Sequence, residues 1–266
     1  MGIITISRGS FSMGQFIAEK LAEVMGYECV SREILLKASK DFDVPEVYLR
    51  SALQNAPSIF DRFKHGNKKY IAFIREAFLE KIQKDNVVYH GFAGHFFTKD
   101  IPNVLKIRVV ADIDFRIKRV MVNENVSEDE ARKMILNIDE ERRKWSMYLY
   151  GIDTRSPDLY DIVLNIECLK VDGTVKRLTG MANLPCFQTT KDTREKIKNN
   201  LIAARAYSVL VNTYPEANVK CKDGKILVSI ESSFAVEKVI SKKIKSLLKD
   251  IEGVKEIRIF VIPFDS

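Results

Sequence analysis

Residues 2–26 read GIITISRGSFSMGQFIAEKLAEVMG, and this stretch decides the fold of the first part of the chain. Its opening run is apolar and β-branched, which is typical of a buried strand. Small and flexible residues interrupt that run between Arg8 and Gly14. From Gln15 onward apolar residues recur every three or four positions up to Gly26, which predicts an amphipathic helix with a C-terminal glycine. The stretch therefore predicts a strand, a glycine-containing loop and a helix, an arrangement that can hold phosphate groups.

The loop departs from the standard phosphate-binding pattern, which is Gly, four residues, Gly-Lys and then Ser or Thr. Gly9 and Gly14 have the required spacing, but Gln15 replaces the lysine and Phe16 replaces the magnesium-binding hydroxyl. Two glycines at this spacing also occur in strand-turn-helix units that bind nothing. The spacing alone therefore leaves a purely structural turn as an equal alternative.

Composition indicates a globular protein with a core of ordinary size. The chain has 266 residues, of which 46% are hydrophobic, and this length suits one large domain or a medium-sized one with a small one. We find neither an apolar run of the roughly 18 to 20 residues that span a bilayer nor a secretory signal pattern. The four cysteines are scattered without metal-binding spacing, so we expect them to be reduced and structural. A cytoplasmic protein is the expectation.

Positive charge is concentrated in the C-terminal part of the chain. The net charge is +7, and residues 193–266 carry 14 Lys and Arg against 9 Asp and Glu. Such a segment suits an anionic partner, although lysines on a solvated helix face explain it more often.

Strand and helix patterns alternate through the first 182 residues. Strand patterns cover 3–7, 27–30, 86–91, 105–111 and 160–166. Helix patterns cover 15–25, 31–36, 45–53, 68–84, 127–148 and 171–181, with a further helix from Asp112 and a break at Pro57. Alternation of this kind predicts an α/β fold, with a mostly parallel sheet and helices on both faces.

The pattern changes beyond this region. Residues 183–192 lack periodicity and predict a linker. From 193 to 266 the order is helix, hairpin, helix, strand, with a hairpin turn at Asp223-Gly224. A second, small α+β domain is therefore expected at residues 193–266.

Together these features resemble the cytidylate-kinase-like family of nucleoside monophosphate kinases, which have a P-loop fold, over residues 1–182. The residues that carry the resemblance are Ile4-Thr5-Ile6-Ser7-Arg8 with Gly14, Ser31-Arg32-Glu33-Ile34-Leu35, Asn86-Val87-Val88 with Gly91, Arg116 with Arg119, Arg142 with Tyr148 and Gly151, and Tyr160-Asp161 with Asn165. Residues 193–266 resemble a BON domain through Asp223-Gly224-Lys225-Ile226 and Gly253-Val254.

The resemblance implies transfer of the γ-phosphoryl group of ATP, with Mg²⁺, to CMP or a related small acceptor. In such enzymes backbone amides, magnesium and arginines neutralise the transferring group. It implies that phosphate groups of ATP are held by Arg8, Gly9, Ser10, Ser12, Gly14 and Gln15. It further implies acceptor binding by Arg32 and Gly91, and a catalytic role for Arg116, Arg119 and Arg142.

Departures from the family pattern leave a second function open. Relatives carry Gly-Ser-Gly-Gly where this chain has Phe11-Ser12-Met13-Gly14, and neither Phe nor Met adopts a positive φ cheaply. Phe92 follows Gly91 where relatives have arginine. The alternative is a catalytically inactive nucleotide sensor or scaffold, whose BON-like domain binds a protein, an anionic lipid surface or nucleic acid.

Other chemistry-bearing residues have simpler structural explanations. His90 and His95 lack the spacing of metal ligands, and we expect hydrogen-bonded histidines near a strand end. Asp112 is expected to cap a helix rather than to bind magnesium. Trp145 is expected in the core rather than as a surface for stacking a base.

Overall fold

The computed structural model describes residues 2–54, 66–91, 93–233 and 236–263. The predicted break at Pro57 and the departure at Phe92 lie outside these residues. The described residues form two compact units, the first from 2–33, 50–54 and 84–189, and the second from 34–49, 66–83 and 190–263. Helices of residues 34–83 thus belong largely with the C-terminal segment, whereas the sequence patterns placed them with the N-terminal one.

The regular elements follow the predicted order. The strands are β1 Ile3–Arg8, β2 Glu28–Val30, β3 Val87–His90, β4 Val104–Val110, β5 Ile162–Asn165, β6 Asn218–Lys222, β7 Lys225–Glu231 and β8 Glu256–Ile262. The helices are α1 Gly14–Met25, α2 Arg32–Asp41, α3 Glu46–Gln54, α4 Gly66–Ile82, α5 Gly94–Phe97, α6 Ile113–Glu124, α7 Glu128–Tyr150, α8 Ile166–Leu169, α9 Val171–Ala182, α10 Lys191–Leu210 and α11 Glu237–Leu248.

A five-stranded parallel sheet forms the centre of the first unit. Its strand order is β2-β3-β1-β4-β5, so β1 lies between β3 and β4. Ile3 pairs with Val87 on one side and with Val104 on the other. The predicted α/β fold with a mostly parallel sheet is therefore confirmed.

Helices cover the sheet on both faces because successive strand residues point to opposite sides. On one face, Ile4 and Ile6 of β1 pack with Leu21 of α1 and Leu178 of α9. On the other face α5 lies against β1, and a Cβ built on Gly94 would lie 3.4 Å from Cβ of Thr5.

Helices α6 and α7 form an antiparallel pair with a small core of their own. Ile117, Val120, Ala131 and Ile135 are buried between them. Ser127 begins α7 with the predicted capping box, in which its hydroxyl accepts from the Glu130 backbone N–H and the Glu130 carboxylate accepts from the Ser127 backbone N–H. This pair carries the three arginines to which the resemblance gave a catalytic role.

The second unit contains the expected helix, hairpin, helix and strand. Its sheet has the order β6-β7-β8, with β6 and β7 antiparallel and β8 parallel to β7. Asp223 and Gly224 turn the hairpin with φ of 55° and 82°. Helix α10 begins at Lys191, inside the segment expected to be a linker, because Thr190 and Thr193 form a capping box. None of the described helices is both long and apolar enough to cross a membrane.

Candidate functional site

The loop after β1 lies at the carboxyl edge of the parallel sheet. Ligands of open α/β sheets bind at this edge, at the point where the strand order reverses. In this sheet that point lies at β1, which β3 and β4 flank. The loop from Gly9 to Met13 then leads directly into the N-terminus of α1.

The loop backbone has left-handed conformations at the two positions where relatives carry glycine. Phe11 has a φ of 58° and Met13 a φ of 62°. Both residues thus adopt the positive φ that was expected to be costly for them, at about 1–3 kcal/mol per residue. Packing offsets this strain, because Phe11 contacts the core between α6 and α7 and Met13 contacts the core of the sheet. The loop keeps its backbone shape without the glycines.

Hydrogen bonds attach the loop to β4. The Ser12 hydroxyl is fully buried and lies 2.9 Å from the carbonyl oxygens of both Gly9 and Val109, and the Gly9 N–H donates to Val109 at 3.0 Å. The Ser12 hydroxyl therefore attaches the loop to β4 and does not point its hydrogen bond at a ligand. Gly14 is needed for a close approach, since a Cβ there would lie 2.7 Å from Cβ of Arg8.

The N-terminus of α1 offers backbone donors but no cationic side chain. Its first intrahelical bond runs from the Ile17 N–H to the Met13 carbonyl oxygen, which leaves the preceding N–H groups available to an anion. Gln15 accepts from Arg8 at 3.4 Å and donates to Glu19 at 2.9 Å. Phe16 is 51% exposed. The magnesium-binding hydroxyl of a P-loop is thus absent at this position.

An aspartate that sequence reasoning missed occupies part of the loop. Oδ1 of Asp139, on α7, accepts from the Ser10 backbone N–H at 3.1 Å and from the Ser10 hydroxyl at 2.7 Å. Its Oδ2 accepts from Nη1 of Arg116 at 2.6 Å. Burial works to raise the pKa of the Asp139 carboxyl, but the hydrogen bonds from Arg116 and Ser10 outweigh it and lower the pKa. The Asp139 carboxylate thus occupies hydrogen-bond donors of the loop that could otherwise bind a phosphate oxygen.

The three predicted arginines all reach the loop region. Arg116 is within 3.4 Å of both the Ser10 carbonyl and hydroxyl oxygens, and Arg142 donates to the Arg8 carbonyl oxygen at 3.1 Å. Burial first, and then the nearby Arg8, lowers the pKa of Arg142 to about 10, so this side chain remains charged at neutral pH. Arg119 lines the cavity above the loop.

Two cavities meet at this site. The loop cavity, of about 420 Å³, is lined by Arg8, Ser10, Phe11, Met13, Gln15, Phe16, Glu19, Arg119, Ile138 and Arg142. The strand-end cavity, of about 80 Å³, is lined by Arg8, Gly91, Ala93, His95, Arg108, Asp139, Arg142, Trp145, Thr154 and Arg155. Arg8 and Arg142 line both, so they lie between the two spaces.

The Tyr89 side chain leaves no space for a Cβ at two positions close to the strand-end cavity, Gly91 and Gly94. A Cβ on Gly91 would lie 2.7 Å from Tyr89 Oη, and a Cβ on Gly94 would lie 2.6 Å from the Tyr89 ring. Burial raises the pKa of Tyr89, which therefore stays protonated. Gly91, predicted to bind the acceptor, does line this cavity, whereas the side chain of Arg32 lies outside the described residues.

The remaining sequence expectations have mixed outcomes. Trp145 is 2% exposed and lies against Phe96 and Tyr150, as expected for a core residue, but it also borders the strand-end cavity. Asp112 precedes α6 at the capping position, but its carboxylate accepts from Asn165 at 2.7 Å and does not cap the helix. His95 leaves Nε2 buried without a hydrogen-bond partner among the described residues. No group of carboxylates, histidines and cysteines suited to a metal occurs in the part of the chain that the structure describes.

Comparison with known proteins agrees with this geometry. The chain is 25% identical over 182 residues to the cytidylate kinase of Ignicoccus hospitalis, covering 68% of this chain and 99% of that protein. It is 27% identical over 166 residues to the cytidylate kinase of Methanosarcina barkeri, covering 62% and 87%. An uncharacterized protein from Eubacterium ventriosum has a similar fold, with a TM-score of 0.52 at 24% identity over 68% of this chain and 98% of that one.

The sequence model of the cytidylate kinase-like family matches residues 3–168, which is more than half of the chain. The match includes the loop, the strand ends and the α6–α7 pair with its arginines. The sheet order, the phosphate-type loop and this match lead to one conclusion: the chain belongs to the cytidylate kinase-like family.

Proposed function

We propose that this protein binds ATP in the loop cavity and the phosphate of CMP, or of a related small acceptor, in the strand-end cavity, and transfers the γ-phosphoryl group slowly. The observation that carries this proposal is that Arg8 and Arg142 line both cavities. Phosphoryl transfer depends mainly on positioning the two substrates and neutralising the charge between them. Two guanidinium groups between the two spaces suit that task.

Unused donors near the loop support an anionic ligand there. Nε of Arg116 and Nε of Arg119 are buried and donate to no acceptor among the described residues. Buried donors normally have a partner. Of the two, Arg119 lines the loop cavity, so a phosphate oxygen bound there would supply an acceptor for its side chain.

Slow transfer follows from three features of the site. Gln15 supplies no positive charge to the transferring group, and Phe16 supplies no ligand for magnesium. The carboxylate of Asp139 is engaged by Arg116 and Ser10. The residues present at these positions thus do not form the magnesium site of a P-loop.

A second candidate function is nucleotide sensing without turnover. The contact between Asp139 and Ser10 favours it, because this contact closes part of the loop with the protein's own carboxylate. In a sensor, nucleotide binding would replace that contact and free α7 from the loop.

Calorimetric titration with ATP, with and without Mg²⁺, and a product assay with CMP distinguish these functions. Saturable ATP binding with CDP formation supports the kinase. Saturable ATP binding without product from any nucleoside monophosphate supports the sensor. The absence of heat up to millimolar ATP contradicts both.

For the C-terminal part we propose a BON-like domain at residues 193–266 that binds an anionic partner. Helix α11 supports this, since Lys238, Lys242 and Lys243 surround Val239, which is 70% exposed. Affinity for anionic vesicles, an acidic protein or RNA that falls steeply with salt would support the proposal. Lack of binding to all three at low salt would contradict it.

A further inference from the structure

The strand-end cavity is surrounded by positive charge from several elements. Arg8 comes from β1, Arg108 from β4, Arg142 from α7 and Arg155 from the loop after α7. The cavity, of about 80 Å³, has room for a phosphate group. Asp139 also lines the cavity, so four guanidinium groups outnumber one carboxylate and the walls suit an anion.

His95 lies in this wall with a buried nitrogen that no described residue hydrogen-bonds. The residue is 6% exposed, and its Nε2 has no hydrogen-bond partner among the described residues. The ring is held between Phe96, at a centroid distance of 4.1 Å, and Tyr160, at 5.1 Å. Because buried polar atoms are almost always hydrogen-bonded, this nitrogen indicates a partner from outside the chain.

The surroundings keep this imidazole neutral. Burial, and then the charges of Arg108 and Lys106, lower the pKa of His95 to about 3. A neutral imidazole carries one N–H and one acceptor nitrogen. An ionised phosphate offers only acceptor oxygens, so His95 would meet it as the tautomer protonated on Nε2.

We propose that His95 is a binding residue, whose Nε2 donates a hydrogen bond to a phosphate group that Arg8, Arg108 and Arg142 hold in the strand-end cavity. This inference rests on the proposed function, which places the acceptor phosphate there. His95 thereby adds an uncharged hydrogen-bond donor to the arginines that line the cavity. Such a donor has a fixed direction, because the aromatic neighbours of His95 restrict its ring.

Two substitutions of His95 separate the effect of its hydrogen-bond donor from the effect of its aromatic ring. His95→Phe keeps an aromatic ring and removes the donor, whereas His95→Gln places an amide N–H near the position of Nε2. His90→Gln is the matched control, since His90 is also buried but does not line the cavity. Thermal unfolding of each variant establishes that it is folded.

The probes are inorganic phosphate, CMP and cytidine, titrated against the fluorescence of Trp145. This is the single tryptophan of the chain, and it borders the cavity. We expect His95→Phe to weaken CMP binding about tenfold or more, the loss of one hydrogen bond to a charged group. We expect His95→Gln to stay within about threefold of the wild type, His90→Gln to match it, and cytidine not to bind.

The outcomes distinguish the inference from the function on which it rests. If His95→Phe binds CMP as tightly as the wild type, the role of His95 is overturned and the proposed function stands. If the wild type binds neither CMP nor phosphate, the proposed function itself fails. Tight binding of inorganic phosphate alone, weakened in His95→Phe, supports the role of His95 but assigns the cavity to free phosphate.

A measurement on the wild type avoids any dependence on variant folding. In imidazole nitrogen spectra, added CMP or phosphate is expected to shift the Nε2 resonance of His95 and to leave that of His90 in place. A ligand that saturates Trp145 fluorescence without moving the His95 resonance would overturn the inference.

Discussion

Replacing Asp139 by asparagine should strengthen ATP binding, although it removes contacts from the folded protein. The carboxylate accepts from the Ser10 N–H at 3.1 Å, from the Ser10 hydroxyl at 2.7 Å and from Arg116 at 2.6 Å. ATP in the loop cavity has to replace the contact with Ser10 and also lies near this negative charge. The amide oxygen of asparagine still accepts from Ser10, but a neutral hydrogen bond contributes about 0.5–1.5 kcal/mol against about 1.5–3 for a charged one, so ATP binding should tighten about fivefold to tenfold.

The same substitution should lower the free energy of unfolding. The Arg116 side chain is 13% exposed and loses its charged partner. Leaving it without one should cost about 1–3 kcal/mol. Tighter nucleotide binding together with a less stable free protein would be the signature of a carboxylate that occupies a ligand position.

Calorimetry with ATP and urea unfolding measure the two effects. The control is Glu140→Gln, which changes the charge equally on the next residue, where the carboxylate pairs with Arg143 at 2.6 Å. We expect ATP binding of this variant to match the wild type. The reasoning is refuted if Asp139→Asn binds ATP no more tightly than Glu140→Gln does.

Three further predictions concern the loop, the cavity wall and pH. Gln15→Lys should tighten ATP binding about tenfold in calorimetry, with Gln15→Met unchanged, because a lysine there supplies the missing charge. Gly94→Ala should destabilise the protein by about 1–3 kcal/mol in urea unfolding, since Tyr89 must move, whereas Gly180→Ala in open space should not. Because the pKa of His95 is about 3 when folded and 6.5 in the unfolded chain, the unfolded state binds more protons below pH 6.5. The free energy of unfolding should therefore decrease as the pH is lowered from 6.5 toward about 3, by up to about 1.4 kcal/mol per pH unit. His95→Phe should remove this contribution, and an unchanged pH dependence in that variant would contradict the reasoning.

Local sequence patterns predicted the longer elements of the fold because most of them have a clear apolar period, whereas the four-residue helices α5 and α8 are too short to show one and were missed. Ile3 to Ile6 are buried on both faces of the sheet, so their run is continuous and apolar. The start of α10 was placed two residues late because the capping role of Thr190 was not recognised. The grouping of α4 with the C-terminal segment depends on contacts between distant parts of the chain, such as Arg205 with Glu80, and no local period reports these.

The candidate site was only partly predictable. The loop follows from its glycine spacing and the three arginines of α6 and α7 from the family resemblance, and their roles stay predictions. Asp139 was missed because an acidic residue in a charged helix looks like a solvated one, and only its position three residues before Arg142, on the same helix face, could have indicated otherwise. Arg108 was missed because it interrupts an apolar strand, where an alternating pattern suggests a solvent-facing side chain.

The central claim is that Arg142 serves two ligand cavities at once. Calorimetric titration of Arg142→Met with ATP and, separately, with CMP tests it most directly, alongside Arg143→Met, which changes the neighbouring arginine that pairs with Glu140. The account predicts that Arg142→Met weakens both ligands about tenfold or more while Arg143→Met weakens neither. Loss of only one ligand, or of neither, in a folded Arg142→Met protein would contradict it.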